Sequence, residues 1–153
     1  MAERIGKRTI KTQNKPSFVG YGSVVGKKEF EGPIGDEFDT HNDDSRFGEE
    51  SYEKAESRLQ KTAVETALQK CNKTEKDVDL IFAGDLLNQC IGSSFGLRSL
   101  GIPFVGLYGA CSTMTLGLSL ASMAVDSKAA KTAVAVTSSH FCSAAIRIFL
   151  AAP

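Results

Sequence analysis

Pro103-Phe-Val-Gly-Leu-Tyr-Gly-Ala-Cys-Ser-Thr113 decides the fold: an apolar strand runs through glycine and alanine into a cysteine. A helix rich in small and apolar residues follows from Thr115 to Val125. The pattern puts Cys111 where a buried strand turns into a buried helix. The first amides of a helix have no internal partner, and its summed peptide dipole favours negative charge there. A thiol in that position has its thiolate stabilised, and the thiolate is the reactive form. Gly109 and Ala110 leave little side chain to block an approaching ligand. The arrangement suits a nucleophile or a cradle for an anion. A buried cysteine that only packs is the common alternative for this residue type.

Working outward, strand and helix signals alternate. Ser17–Gly26 reads as a glycine-interrupted strand, and residues 27–48 have loop composition, with Gly32-Pro33, Gly35, Asn42, Gly48 and many acids. Tyr52, Ala55, Leu59, Ala63 and Ala67 recur at spacings of three and four with Val64 and Leu68 beside them, which predicts an amphipathic helix. Thr74-Glu-Lys-Asp77 resembles a capping box. Val78–Ala83 is a short apolar strand ended by Gly84-Asp85; Leu87–Leu100 supports a second helix stopped by Gly101-Ile-Pro103. Phe104–Tyr108 is a strand, Ser112–Ala129 a helix and Thr132–Thr137 a further strand. Three strand–helix–strand crossovers in succession imply an α/β fold: a mostly parallel sheet with helices on both faces. Ligands of such sheets bind outside the carboxyl ends of the strands. Asp85, Cys111 and Ser138-Ser139-His140 all fall just after strands and are expected to share one edge.

At 153 residues, 42% hydrophobic and 24% charged, the chain has the size and composition of one ordinary globular domain. The formal net charge is zero, so nothing in the total points to nucleic acid. A basic beginning (Arg4, Lys7, Arg8, Lys11, Lys15, Lys27, Lys28) is followed by an acidic stretch from Glu29 to Glu50. Such runs read as solvated surface, and a basic start adds only a weak attraction to an anionic membrane. Cys71, Cys90, Cys111 and Cys142 form no CxxC pair and lie at no zinc-ligand spacing, so no structural metal is expected. The charged first residues lack the apolar run of a signal peptide, and the cysteines are expected as reduced thiols in a cytoplasmic protein. The apolar stretch Leu116–Val125 is too short to span a bilayer.

The blocks Phe82-Ala-Gly-Asp-Leu-Leu-Asn-Gln89, Leu107-Tyr-Gly-Ala-Cys-Ser-Thr113 and Thr137-Ser-Ser-His140, with the earlier Gly32-Pro-Ile-Gly-Asp-Glu-Phe-Asp39, are together specific. They resemble the stage V sporulation protein AD family of the thiolase-like group over roughly residues 7–143. The resemblance implies one half of a thiolase-like fold, with the ligand pocket between two similar halves. It also implies a role in spore formation: binding dipicolinic acid, as its calcium chelate, for uptake into the developing spore. Other stage V sporulation membrane proteins would be its partners, no nucleic acid and no resident cofactor being expected. The family implies a homodimer at full length, a connection to spore germination, and a position on the cytoplasmic face, peripheral to the inner membrane of the developing spore. Cys111 matches the thiolase nucleophile, and Asp85 matches a family pocket position.

The family is about twice this length, and Ala144–Pro153 does not follow its pattern. The expectation is therefore an amino-terminal thiolase-like half over residues 1–143, followed by a divergent tail over 144–153 produced by truncation or a frameshift.

The expected ligand-binding residues are Asp85, Asn88, Cys111, Ser112, Thr113 and His140. Asp85 is either a contact to the chelated calcium, a protonated hydrogen-bond donor, or a loop acid that caps the next helix. Asn88 and Gln89 line the pocket or cap the helix. The amides of Ser112 and Thr113 meet a carboxylate, while their hydroxyls most simply cap. His140 is a polar pocket residue or a surface loop histidine. The contrasting function is an acyltransferase of the thiolase or ketoacyl synthase type, with Cys111 as the catalytic nucleophile; covalent catalysis also needs a base and oxyanion donors, which no histidine here is obviously placed to supply.

Overall fold

The computed structural model describes residues 2–87, 90–139 and 146–152, the last segment by its backbone. The chain begins with an antiparallel hairpin, β1 (Glu3–Ile5) and β2 (Thr9–Lys11), and continues into β3 (Ser17–Gly26), a one-turn α1 (Lys27–Phe30) and β4 (Thr40–Asn42). α2 (Tyr52–Lys70) starts on Ser51, whose hydroxyl accepts from the Lys54 amide. The Asp77 carboxylate takes the amide and hydroxyl of Thr74, so the expected capping box is formed. β5 (Leu80–Gly84), α3 (Ile91–Leu97), β6 (Phe104–Gly106), α4 (Thr113–Asp126), β7 (Ala133–Thr137) and β8 (Ile146–Ala152) complete the order.

Six strands form one sheet in the order β4-β3-β8-β7-β5-β6. The pairs β3–β4, β5–β7 and β5–β6 are parallel, and β8 runs antiparallel to both of its neighbours. Five strands therefore point one way, which agrees with the α/β expectation, and a single reversed strand sits inside the sheet.

Side-chain alternation along the central strands builds two cores. Ile81, Ala83, Val134 and Val136 face Leu59, Ala63, Val64, Ala67 and Leu68 of α2. Phe82, Ala133 and Ala135 face the other way, into Leu107, Ala121 and Val125 beneath α4. Helices thus cover both faces, and each fully buried aliphatic side chain stabilises by about 1.5–3 kcal/mol. The glycines that interrupt β3 have a packing cause. A Cβ at Gly22 would lie 2.5 Å from the Ala63 carbonyl oxygen and 2.9 Å from the Ala67 nitrogen, so α2 rests directly on the strand backbone.

Several short elements depart from the sequence reading. The β1–β2 hairpin is exposed throughout, and β4 has three residues within a stretch of loop composition, so neither carries a readable period. β8 lies where the sequence reading ends its strands at Thr137. The second helix starts at Ile91 rather than Leu87, because the Asp85 carboxylate accepts from the Leu87 amide at 2.9 Å and closes a turn instead.

Candidate ligand site

β5, β6 and β7 are parallel, so their carboxyl ends share one edge of the sheet, as expected. Backbone bonds sew that edge together: Ser138 N–H donates to the Gly84 carbonyl at 3.1 Å, and Leu107 N–H to the Ala83 carbonyl at 2.7 Å. A Cβ at Gly84 would lie 2.1 Å from the Leu107 oxygen and 2.7 Å from the Thr113 methyl carbon. Only glycine lets the start of α4 sit this close to the end of β5.

Cys111 lies in a 3-10 turn, Ala110–Ser112, that leads straight into α4, and its side chain is exposed. Ala110 has φ +46, a left-handed conformation that costs an L-residue roughly 1–2 kcal/mol. Such strain persists only where the surroundings fix it. Here Gly109 N–H donates to Thr113 Oγ1 at 3.2 Å, and the Ser112 hydroxyl and amide both donate to the Gly109 carbonyl, at 2.6 and 2.9 Å. The hydroxyls of Ser112 and Thr113 therefore close the turn, and their amides are taken by the Gly109 and Ala110 carbonyls rather than left for a carboxylate as expected; Thr113 is buried while Ser112 is exposed. The expectation of a buried strand and buried helix around Cys111 needs correcting on both sides. β6 is the outermost strand and all three of its residues are exposed; α4 buries one side only, and Leu116 is 40% exposed.

Asp85 is 1% exposed. Its Oδ1 accepts from Leu87 N–H, and its Oδ2 accepts from the amide and hydroxyl of Ser93, at 2.7 and 2.6 Å. The carboxylate is turned into the protein, where it closes its own loop and caps the first turn of α3, which is the capping alternative. Cys90 lies in the same loop, left-handed at φ +59 and buried; its thiol donates to the Leu107 carbonyl at 3.1 Å. Burial pushes the Cys90 thiol up, with the Asp85 charge adding to it, against a backbone hydrogen bond that lowers it. Asn88 and His140, with Gln89 and Cys142, lie outside the described residues. His41 stacks on Phe30 with ring centroids 3.5 Å apart, away from this edge.

The residues that sequence reasoning missed are Glu56 and Gln60 on α2, both fully buried. Gln60 Nε2 donates to Ser138 Oγ (2.6 Å), Ser93 Oγ (2.9 Å) and the Gly84 carbonyl (3.1 Å). Ser138 Oγ donates in turn to Glu56 Oε1 at 2.5 Å, as Ser93 Oγ does to Asp85. A signal was present: Glu56, Gln60, Val64 and Leu68 form a stripe at four-residue spacing that continues the apolar face of α2 with two polar residues. Gln60 Oε1 is buried with no hydrogen-bond partner among the described residues, at a cost of about 1–3 kcal/mol. Among the described residues, no group of three or more His, Cys, Asp or Glu side chains converges to hold a metal ion.

The model of the family described as Stage V sporulation protein AD (SpoVAD) matches residues 6–149. Stage V sporulation protein AD of Bacillus subtilis (strain 168) is 45% identical over 136 residues, covering 88% of this chain and 40% of that protein. The chain thus spans about two fifths of the length of its curated relative. Among solved structures, 3-oxoacyl-[acyl-carrier-protein] synthase III from Aquifex aeolicus VF5 is similar with a TM-score of 0.62 and 14% identity, over 90% of this chain and 54% of that one. The priming β-ketosynthase of the R1128 polyketide biosynthetic pathway gives 0.65 and 14%, over 90% and 50%. At that identity the likeness is one of fold, and the fold is thiolase-like.

Proposed function

This chain belongs to the stage V sporulation protein AD family, and on that footing we propose that it binds dipicolinic acid, as its calcium chelate, for uptake into the developing spore. The observation that carries the reading is the exposed Cys111 turn at the start of α4. A ligand carboxylate placed there meets the positive end of a 14-residue helix, worth about 0.3–1 kcal/mol for an exposed anion. Gly109 and Ala110 keep the approach open. In this reading Cys111, Ser112 and Thr113 form the floor, with Asn88 and His140 as further contacts. Asp85 acts by shaping its loop, and direct contact with the chelated cation requires that loop to open.

The remaining parts of the reading belong to the whole protein, of which relatives carry more than this chain spans. They are a homodimer at full length, association with other stage V sporulation membrane proteins, and a position peripheral to the inner membrane of the developing spore. No helix among the described residues is long and apolar enough to cross a membrane.

Equilibrium dialysis of dipicolinate with and without calcium tests the proposal. Saturable binding is expected for the chain, weakened by Cys111→Ala and lost on Cys111→Asp, which places a negative charge in the carboxylate's position. Absence of saturable binding, or a Cys111→Asp variant that binds normally, overturns it. The exposed thiol at a helix start also suits acyl transfer, with Cys111 as nucleophile. A stable adduct on Cys111 after incubation with an acyl thioester would favour that second reading.

A further inference from the structure

We propose that Gln60, a residue of the packing helix α2 and of neither site loop, is the positioning residue of this edge. Its amide ties the loop after β5, which carries Asp85, to the end of β7. This deepens the ligand reading only in taking the Cys111–Asp85 edge as the site.

The hydrogen bonds have a direction that fixes the role. The protons of the two serine hydroxyls are already committed, that of Ser138 to Glu56 and that of Ser93 to Asp85. Both serine oxygens must therefore accept, and the group facing them is the NH2 of Gln60 rather than its carbonyl. The Gly84 carbonyl makes the same demand. The two N–H protons of one amide thus face three acceptors, one proton being shared: the end of β5, the Ser93 that holds Asp85, and the residue directly after β7. The amide does so while its own carbonyl oxygen is left buried with no partner among the described residues. An apolar residue of equal length would fill the space without that orphan. The polar choice is accounted for by the donors it delivers. Among the described residues the Asp85 carboxylate is held by the Leu87 amide and by the amide and hydroxyl of Ser93, so its position depends on what fixes Ser93.

The test reads the loop directly and uses no ligand, so its failure is distinct from failure of the binding proposal. Cys90 is a native reporter inside the Asp85 loop, buried and with its thiol pushed up, and it alkylates only when the loop opens. Cys71 lies at the far end of α2, its Sγ 3.2 Å from where a Cβ of Gly20 would be, and reports on general loosening. The full chain is alkylated with iodoacetamide under native conditions and each cysteine is quantified by peptide mass spectrometry. Gln60→Met, which keeps length but no polar group, is expected to raise Cys90 labelling about tenfold or more relative to Cys71. Gln60→Glu, which keeps the shape but donates no N–H at neutral pH, is expected to do the same.

Ser93→Ala alone is expected to raise the Cys90-to-Cys71 ratio, and to add little in the Gln60→Met background because the two belong to one connection. If Gln60→Met does not fold, Ser93→Ala and Ser138→Ala carry the test through the same ratio. Parallel increases at Cys90 and Cys71, or no increase at Cys90, overturn the proposal.

Discussion

Gly84→Ala places a methyl group where β5, the residue after β6 and the start of α4 converge. The added Cβ lies 2.1 Å from the Leu107 carbonyl oxygen, 3.1 Å from its carbon and 2.7 Å from the Thr113 methyl carbon. Two of these atoms are backbone and none belongs to a long flexible side chain. Relief to ordinary contact requires the Leu107 peptide to move by about 1 Å. Its amide is bonded to the Ala83 carbonyl at 2.7 Å, next to the mutated residue, and that bond is worth about 0.5–1.5 kcal/mol. Overpacking against a fixed backbone adds about 1–3 kcal/mol. The expected loss is about 2–4 kcal/mol, read from the urea midpoint with the slope unchanged. The same displacement reaches Thr113 and through it the Cys111 turn, so the rate of Cys111 alkylation is expected to change as well. Gly26→Ala is the control: nothing lies within 4 Å of its added Cβ, and the change is expected to stay within about 0.5 kcal/mol. If Gly84→Ala is as stable as the parent and Cys111 reacts at the parent rate, the close approach of α4 to β5 is not what fixes the turn.

Thr113→Val keeps the buried shape but removes the acceptor for Gly109 N–H, and is expected to cost about 1 kcal/mol in urea unfolding while altering Cys111 labelling. Cys111→Ala removes an exposed thiol and is expected to leave the unfolding midpoint within about 0.5 kcal/mol of the parent. Stability is expected to fall as acid is added. Asp79 is held below its ordinary carboxylate range by the Thr132 and Lys131 amides. Asp39 is also held low: burial pushes it up, and bonds from Lys70 and Ser23 outweigh that. With folded-state pKa values below the unfolded ones, the unfolded chain binds more protons. The contribution is then present above about pH 4 and lost as pH drops through the folded values. Urea midpoints measured across that range should slope less steeply after Asp79→Asn with Asp39→Asn; an unaltered slope would count against both assignments.

The alternation of strands and helices was readable because each core element carries its own period, as in the Ala55-Leu59-Ala63-Ala67 stripe of α2 and the apolar run Leu80–Ala83. The shared edge follows from parallel direction alone, which puts Asp85, Ser138 and the Cys111 turn at one end of the sheet. The direction in which the Asp85 carboxylate points was not readable. Position after a strand fixes the backbone, whereas turning inward depends on Ser93 and on Gln60, which lies 25 residues earlier in the sequence. The exposure of β6 escaped for a related reason: Phe104 and Val105 are apolar, and composition does not say whether a strand is central or outermost. β8 falls in the stretch read as a divergent tail, although Ile146-Arg-Ile-Phe-Leu150 has the β-branched, apolar composition of a strand.

The reversed strand also sets a schedule for acquiring the native state. β3 and β7 are neighbours only through β8, which follows β3 by more than a hundred residues, so the sheet joins its earliest strands to its middle only when residues 146–152 have been made. Until then β3 and β4 meet the remainder through α2, which rests on Gly20 and Gly22, and through the bonds from Asn14 to Asp126 at the end of α4. Long-range pairing of this kind must meet its loop-closure entropy before any contact rewards it, which makes the step slow. A nascent chain still lacking β8 exposes the pairing edges of two strands at once, and that interval is when chaperone capture or self-association competes with completion of the sheet.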